Sequence, residues 1–209
     1  LFPYTTLFRS ELEYQEIRQY SLSDAPNGRD YRISVKREPQ GQASNLLHDK
    51  LHVGDEVALM PPAGDFFLQE EATTPVVLLS AGVGLTPMLS MLNHLLAGQH
   101  QAEIRWLHAC EQGALHGFGE DIREKSRQHA RLQSRTWYRI PGERDVQGVD
   151  YDFSGTMQLE QVTDLIPANA HYYFCGPVPF MKSVKEQLGN LGVPAGRMHY
   201  EVFGPHQEI

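Results

Sequence analysis

The run Ser80-Ala-Gly82-Val83-Gly84-Leu85-Thr86-Pro87 follows an apolar stretch, Val76-Val-Leu-Leu79, and opens a helical pattern. Gly82 and Gly84 remove side chains where a backbone must turn sharply and approach a ligand. Thr86 suits an N-cap and Pro87 the first helical position. A helix that begins there offers unpaired N–H groups and a positive dipole end to a diphosphate. The dinucleotide fingerprint is G-x-G-x-x-G. Pro87 stands at its last position, so this is a variant, which a plain strand-to-helix turn also explains. Cys175-Gly176-Pro177 is a second turn between an apolar and a helical run. Two such turns at one sheet edge would face a common crevice. Cys175 itself also reads as a buried structural thiol.

A third group is Arg18-Gln19-Tyr20-Ser21. Arginine can clamp a phosphate, tyrosine can stack on a planar ring, and serine can bond a ring edge. Spacing of two puts Arg18 and Tyr20 on one face of a strand, although an exposed alternating strand reads the same way. Gly41-Gln42-Ala-Ser44 turns into a short helix capped by Ser44 and makes a second anion cradle. Glu111 ends the run His108-Ala-Cys-Glu111. An acidic group there can bond an adenosine ribose, whereas a 2′-phosphate calls for arginine. A solvated loop carboxylate is an equal reading. Of the 10 histidines, His48 and His52 stand i, i+4 but lack the glutamate of a zinc-protease helix, so no metal site is expected. His94, His100, His116 and His129 read as polar-face residues, Cys110 as a small strand-end hydrophobe, and residues 119–124 as a solvated helix face.

The elements that must position these groups fall into two rhythms. Residues 11–70 read as short strands, over 14–22, 31–35 and 57–60, punctuated by Pro26-Asn27-Gly28 and Pro61-Pro62. Residues 71–209 alternate strands (76–79, 104–107, 136–138, 172–175, 198–203) with helices (87–96, 118–128, 158–166, 178–191). That alternation predicts a parallel sheet wrapped on both faces, preceded by part of a barrel or sandwich. The first ten residues, Leu1-Phe-Pro-Tyr-Thr-Thr-Leu-Phe-Arg-Ser10, resemble the translation of a sequencing-adapter oligonucleotide and are set aside as a scar, the alternative being an edge strand. With 209 residues and a net charge of −8, the chain has no basic field for nucleic acid. No apolar run approaches the ~20 residues of a membrane span. Two cysteines fit a reducing, cytoplasmic setting.

The ordered set Arg18-x-Tyr20-Ser21, Gly41-x-x-Ser44, Gly82-x-Gly84-x-x-Pro87, Cys175-Gly-Pro177 and Glu201-Val202-Phe203-Gly204-Pro205 resembles the ferredoxin-NADP⁺ reductase superfamily. Within it, Glu16-Ile-Arg-Gln-Tyr-Ser-Leu22, Pro62-Ala-Gly-Asp-Phe-Phe67 and Thr136-Trp-Tyr-Arg139 are similar to the reductase part of bacterial flavohaemoglobins. The resemblance covers everything after residue 10. It implies a partial antiparallel flavin-binding β-barrel over 11–70, then a doubly wound nucleotide-binding domain over 71–209. It further implies an FAD-dependent NAD(P)H oxidoreductase that uses NADH, or NADPH, and passes electrons to the haem b of a globin domain, where nitric oxide is converted to nitrate. That globin and the opening barrel strands are expected before residue 11, outside this sequence.

By the same resemblance, Arg18 contacts the FAD diphosphate, Tyr20 stacks on the isoalloxazine and Ser21 bonds its edge. Gly41, Gln42 and Ser44 hold FAD phosphate. Residues 82–87 cradle the pyridine nucleotide, and Cys175, Gly176 and Pro177 lie near the nicotinamide. Phe203 covers the other flavin face, flanked by Val202, Gly204 and Pro205, and Glu201 tunes the redox site near the haem. Tyr20, Ser21, Cys175, Glu201 and Phe203 are thereby the catalytic candidates. Val202 departs from the cysteine often found in the family. Two rivals stay open: the reductase component of an oxygenase, whose plant-type C-x₄-C-x₂-C cluster two cysteines cannot supply, and a fragment that only binds nucleotide.

Overall fold

The computed structural model describes residues 18–69, 72–98 and 100–203. Helix α1 spans Gln42–Asp49. Then follow β1 (Val76–Ala81), α2 (Leu85–Ala97), β2 (Ile104–Cys110), α3 (Gly119–Gln128), β3 (Leu132–Tyr138), β4 (Phe153–Ser154), β5 (His171–Gly176), α4 (Val178–Asn190) and β6 (Met198–Val202). The six strands form one sheet in the order β4-β3-β2-β1-β5-β6, and every pairing is parallel. The order reverses beside β1, where the chain leaves for β2 on one side and returns as β5 on the other.

The sheet is covered on both faces, which is why its central strands are apolar without alternation. Val76, Leu78, Trp106 and Tyr173 pack under Met88, Leu89 and Leu92 of α2 and Ile122 of α3. Val77, Leu79, Trp137, Tyr172 and Phe174 face the other way, against Met181, Val184 and Leu188 of α4 and the short 3₁₀ segment Leu159–Leu165. The doubly wound expectation therefore holds.

The first rhythm differs. Residues 31–35 and 57–60 are extended but build no ladder, and the antiparallel barrel expected over 11–70 is represented among the described residues by isolated bridges such as Leu22 with Ile33. β-prone segments become strands only with partners on their edges, and an isolated pair is marginal. Residues 1–17, including the suspected scar and the start of the expected first strand, lie outside the described residues. The segment from residue 18 is tied to the sheet through α2: the Ser90 hydroxyl donates to the Asp24 carbonyl at 2.6 Å, and the Asn93 amide donates to the Asp24 carboxylate at 2.8 Å.

Local starts also differ. Ser44 lies inside α1, whose N-cap is Gly41. Its hydroxyl accepts from the Glu38 N–H at 3.1 Å and donates to the Gly41 carbonyl at 3.3 Å, bracing the turn instead of capping the helix. The 3₁₀ turn Gly82–Gly84 runs straight into α2, so the helix begins at Leu85. Thr86 is thus a second-position residue whose hydroxyl donates back to the Val83 carbonyl at 3.1 Å. Pro87 is third, within the first turn of α2, where proline is tolerated.

Candidate functional site

Two glycine turns meet at the reversal of strand order. A Cβ on Gly84 would collide with the carbonyl of Cys175 and the nitrogen of Gly176, so the turn after β1 and the turn after β5 touch backbone to backbone. Gly82 takes φ +53°, the left-handed region that favours glycine. The carboxyl ends of the central strands open there into a groove of about 660 Å³. Its floor carries Gly82, Val83, Leu85 and Thr86, and its far wall carries Pro177 and Phe180. Phe118, at φ 60° just before α3, stands on the third side.

A second cleft of about 510 Å³ adjoins it. Arg18, Gln19, Tyr20 and Ser21 line one side, Gly41, Gln42 and Ser44 another, and Phe203 closes it. Ser34, Lys36, Val83 and Thr86 line both cavities, so the two are contiguous. The sequence reading missed Ser34 and Lys36. Their spacing of two on a single extended segment was the available signal. Both volumes lie within the range of sites for organic ligands.

The second cleft has the donor set that a flavin dinucleotide needs. The Ser21 hydroxyl is buried and has no hydrogen-bond partner among the described residues. A ligand edge in the cleft would satisfy it. Burial raises the Tyr20 phenol above its usual pKa, against the pull of the Arg18 charge, so the ring is neutral and able to stack. The first turn of α1 presents N–H groups without intrahelical acceptors.

Other expected residues sit differently. Cys175 lines neither cleft: its side chain is fully buried against α2, and burial, then the Glu201 charge, pushes the thiol well up in pKa. Its carbonyl packs against Gly84, where a Cβ would collide with it. Gly84 and Gly176 act as close-packed backbone behind the groove wall. Glu201 pairs with Cys175, and Val202 with Gly176, across β5 and β6; both are half-buried beside the cleft and do not line it. Gly204 and Pro205 fall outside the described residues.

Behind the groove, His116, which the sequence reading placed on a polar face, joins a hydrogen-bonded network. His116 stacks on His108 at 5.1 Å and bonds the Tyr138 hydroxyl at 2.9 Å, while His108 bonds the Ser80 hydroxyl at 2.8 Å. His100 is likewise buried. Burial, then the neighbouring imidazole, lowers His108 to about 3, and burial, then Arg123, lowers His116 to about 4. Both rings are neutral at pH 7. Helix α3, by contrast, does carry the solvated charge face expected of it, with Arg123 and Arg127 on Glu120.

Glu111 and Arg139 stand at the mouth of the larger groove. Arg139 donates from Nε and Nη2 to the two carboxylate oxygens at 2.7 and 2.5 Å. Those bonds hold the Glu111 carboxyl below its usual pKa.

Residues 78–186 match the model of the oxidoreductase NAD-binding domain family. The chain is similar to the flavohaem-like FAD/NAD-binding domain of nitric oxide dioxygenase from Vibrio cholerae, at 42% identity and TM-score 0.84, over 97% of this chain and 84% of that one. It is also similar to the flavohaemoglobin of Malassezia yamatoensis, solved with FAD and haem, at 25% identity and TM-score 0.80, over 97% of this chain and 51% of that one. The chain thus spans about half of that flavohaemoglobin. A cytochrome P450 reductase from Amycolatopsis, at 23% identity and TM-score 0.81 over 98% of this chain and 61% of that one, shares the fold. The match over residues 78–186 and the 42% identity across nearly the whole chain place this protein in the oxidoreductase NAD-binding domain family, among the flavohaemoglobin-like FAD/NAD-binding reductase domains.

Proposed function

We propose that this chain is the reductase part of a nitric oxide dioxygenase, which takes hydride from NADH and sends electrons through FAD to a globin haem. The observation that carries the reading is the contiguity of the two cavities on Ser34, Lys36, Val83 and Thr86. Hydride transfer needs the donor carbon within about 3–3.5 Å of its acceptor, so the two ligands must share a wall. Bound FAD would supply a two-electron acceptor that releases electrons one at a time.

The chain's own residues supply position. Arg18 and the first turn of α1 hold diphosphate, Tyr20 presents a neutral ring, and Ser21 donates to or accepts from the flavin edge. Gly82 and Val83 let the nicotinamide end slide beneath the helix start, while Phe203 shields the flavin face until the nicotinamide displaces it. Glu201, beside Cys175, places a carboxylate near the exit for electrons. Residues 11–70 serve the flavin and 71–209 the nucleotide, and two free thiols suit a cytoplasmic protein. Among the described residues no helix is long and apolar enough to cross a membrane.

The choice of acceptor rests on the likeness to the Vibrio domain and the Malassezia flavohaemoglobin. A test mixes the chain, FAD and NADH anaerobically with a separately purified flavohaemoglobin globin domain and follows haem reduction by its Soret band. Reduction that depends on both NADH and FAD supports the reading. Reduced flavin beside a haem that stays ferric would contradict the globin acceptor and favour an iron–sulfur oxygenase partner.

A further inference from the structure

We infer that Asp145 is a positioning residue of the larger groove: its carboxylate fastens the loop after β2 to the loop after β3 and so fixes the wall that these loops build. That wall bears on binding through the proposed reading that the groove takes a pyridine nucleotide.

Both loops need a fastening. Residues 111–118 bring Glu111, Leu115, Gly117 and Phe118 to the groove, and the loop after β3 brings Arg139. Leu115 and Ile140 are largely exposed, so their apolar burial holds neither loop down. The Glu111–Arg139 pair spans the loops at the mouth, but it is a solvent-exposed contact of the kind worth little. Asp145 is half-buried. Its Oδ2 accepts from the Gly113 N–H at 2.9 Å and from the Gly142 N–H at 2.7 Å. One carboxylate oxygen therefore bonds backbone in both loops, and bonds to a carboxylate are the stronger kind. The Asp145 N–H donates back to the Gly142 carbonyl at 3.0 Å, which closes the turn 142–145. Asp145 does not itself line the groove, so it acts through the loops it ties.

Gly113 carries the mark of this fastening. It opens the 3₁₀ turn Gly113–Leu115, and its φ is not positive, so its backbone does not call for glycine. A Cβ there would instead collide with the Asp145 carboxylate, with the Tyr138 ring edge next in line. The missing side chain makes room for Asp145. Three residues on, the His116 bond to the Tyr138 hydroxyl anchors the same loop a second time. Loss of Asp145 should therefore release the start of the loop and leave its end attached.

The test is calorimetric titration of NAD⁺ into the 209-residue chain as wild type, Asp145→Ala, Asp145→Asn, Gly113→Ala and the Asp145→Ala, Gly113→Ala double variant, with a thermal melt of each. It needs neither flavin nor turnover. Asp145→Ala should weaken NAD⁺ binding about 10-fold, the scale of one charge-assisted contact. Asp145→Asn should restore most of the loss, since an amide oxygen also has two acceptor sites. Gly113→Ala should weaken binding by a similar factor, because the new Cβ displaces the carboxylate. The double variant should bind no more weakly than Asp145→Ala alone, because nothing is left to displace. A merely structural aspartate would lower the melting temperature and leave the affinity of the folded chain unchanged. If wild type binds NAD⁺ and Asp145→Ala binds it equally well, or if the two losses add in the double variant, the positioning role is wrong and the groove assignment stands. If Asp145→Ala does not fold, Gly113→Ala decides, and full NAD⁺ affinity there overturns the role. If wild type does not bind NAD⁺, the groove assignment fails and the positioning role fails with it.

Discussion

Ser21 lies in the smaller cleft with a buried hydroxyl that has no partner among the described residues. Such a group costs about 1–3 kcal/mol when nothing satisfies it. Ser21→Ala should therefore leave the ligand-free chain as stable as before, or up to ~1 kcal/mol more so, while FAD binds about 10-fold more weakly. Thermal melts with and without FAD measure both effects, and an unchanged FAD affinity would separate Ser21 from the flavin. His108 makes a prediction of another kind. Its folded pKa of about 3 lies below the ordinary 6.5, so the unfolded chain takes up the proton first. Its contribution is complete above pH 6.5 and is lost as the pH falls from there towards 3. The loss is roughly 1.4 kcal/mol per pH unit, or about 2 kcal/mol between pH 7 and pH 5, and His116 acts in the same direction. Urea unfolding at the two pH values measures the slope, and His108→Leu should flatten it; an equal slope in the variant would assign the acid sensitivity elsewhere. Site residues were legible in sequence where the backbone carries the signal, as at Gly82 and Gly84. They were illegible where the fold brings a residue in from a distant segment, as with Ser34 and Lys36, or takes one out of reach, as with the Cys175 thiol.

The crossing of the β1 and β5 turns is what an element-scale account must defend. Gly84 packs on the backbone of Cys175 and Gly176, and backbone held in a parallel ladder cannot step aside. Gly84→Ala should cost about 1–3 kcal/mol by overpacking and should weaken NAD⁺ binding with it. Gly82→Ala is the control, since a Cβ there meets open space and the cost is the positive φ alone, about 1 kcal/mol. Similar losses from the two, in both melting temperature and affinity, would mean that the close approach is unimportant. The central strands were legible because a sheet covered on both faces needs continuous apolar runs. β4 was not, because the two residues Phe153–Ser154 are too few to show a period. The segment at Leu159–Leu165 was read as an ordinary helix, yet it is 3₁₀ with a break at Val162, which lets Leu159, Val162 and Leu165 all reach one face. Strand propensity over 31–35 and 57–60 found no regular ladder, since propensity without a partner strand yields extended chain and nothing more.

At the scale of the whole molecule, a six-stranded sheet bears the larger groove, and the segment before it forms helix α1 without a regular strand ladder among the described residues. Residues 18–69 leave Tyr31 62%, Leu59 47% and Met60 50% exposed, and they hold to the sheet through the Asp24 contacts with α2, the burial of Phe66 and Leu68 in its core and the bond from the Gln69 N–H to the Tyr173 hydroxyl. The smaller cleft draws its walls from both sides, with Val83, Thr86 and Phe203 coming from the sheet half. Binding FAD should therefore stabilise the first half by linkage. The central claim is that one chain brings two ligands into contact for hydride transfer. The most direct measurement is an anaerobic visible spectrum of the purified chain with FAD, before and after NADH. The account predicts a protein-bound flavin spectrum that bleaches when NADH is added, with no globin present. A bound flavin that stays oxidised in excess NADH would contradict it, because contiguous cavities that bind both partners would then fail to bring the reacting atoms together.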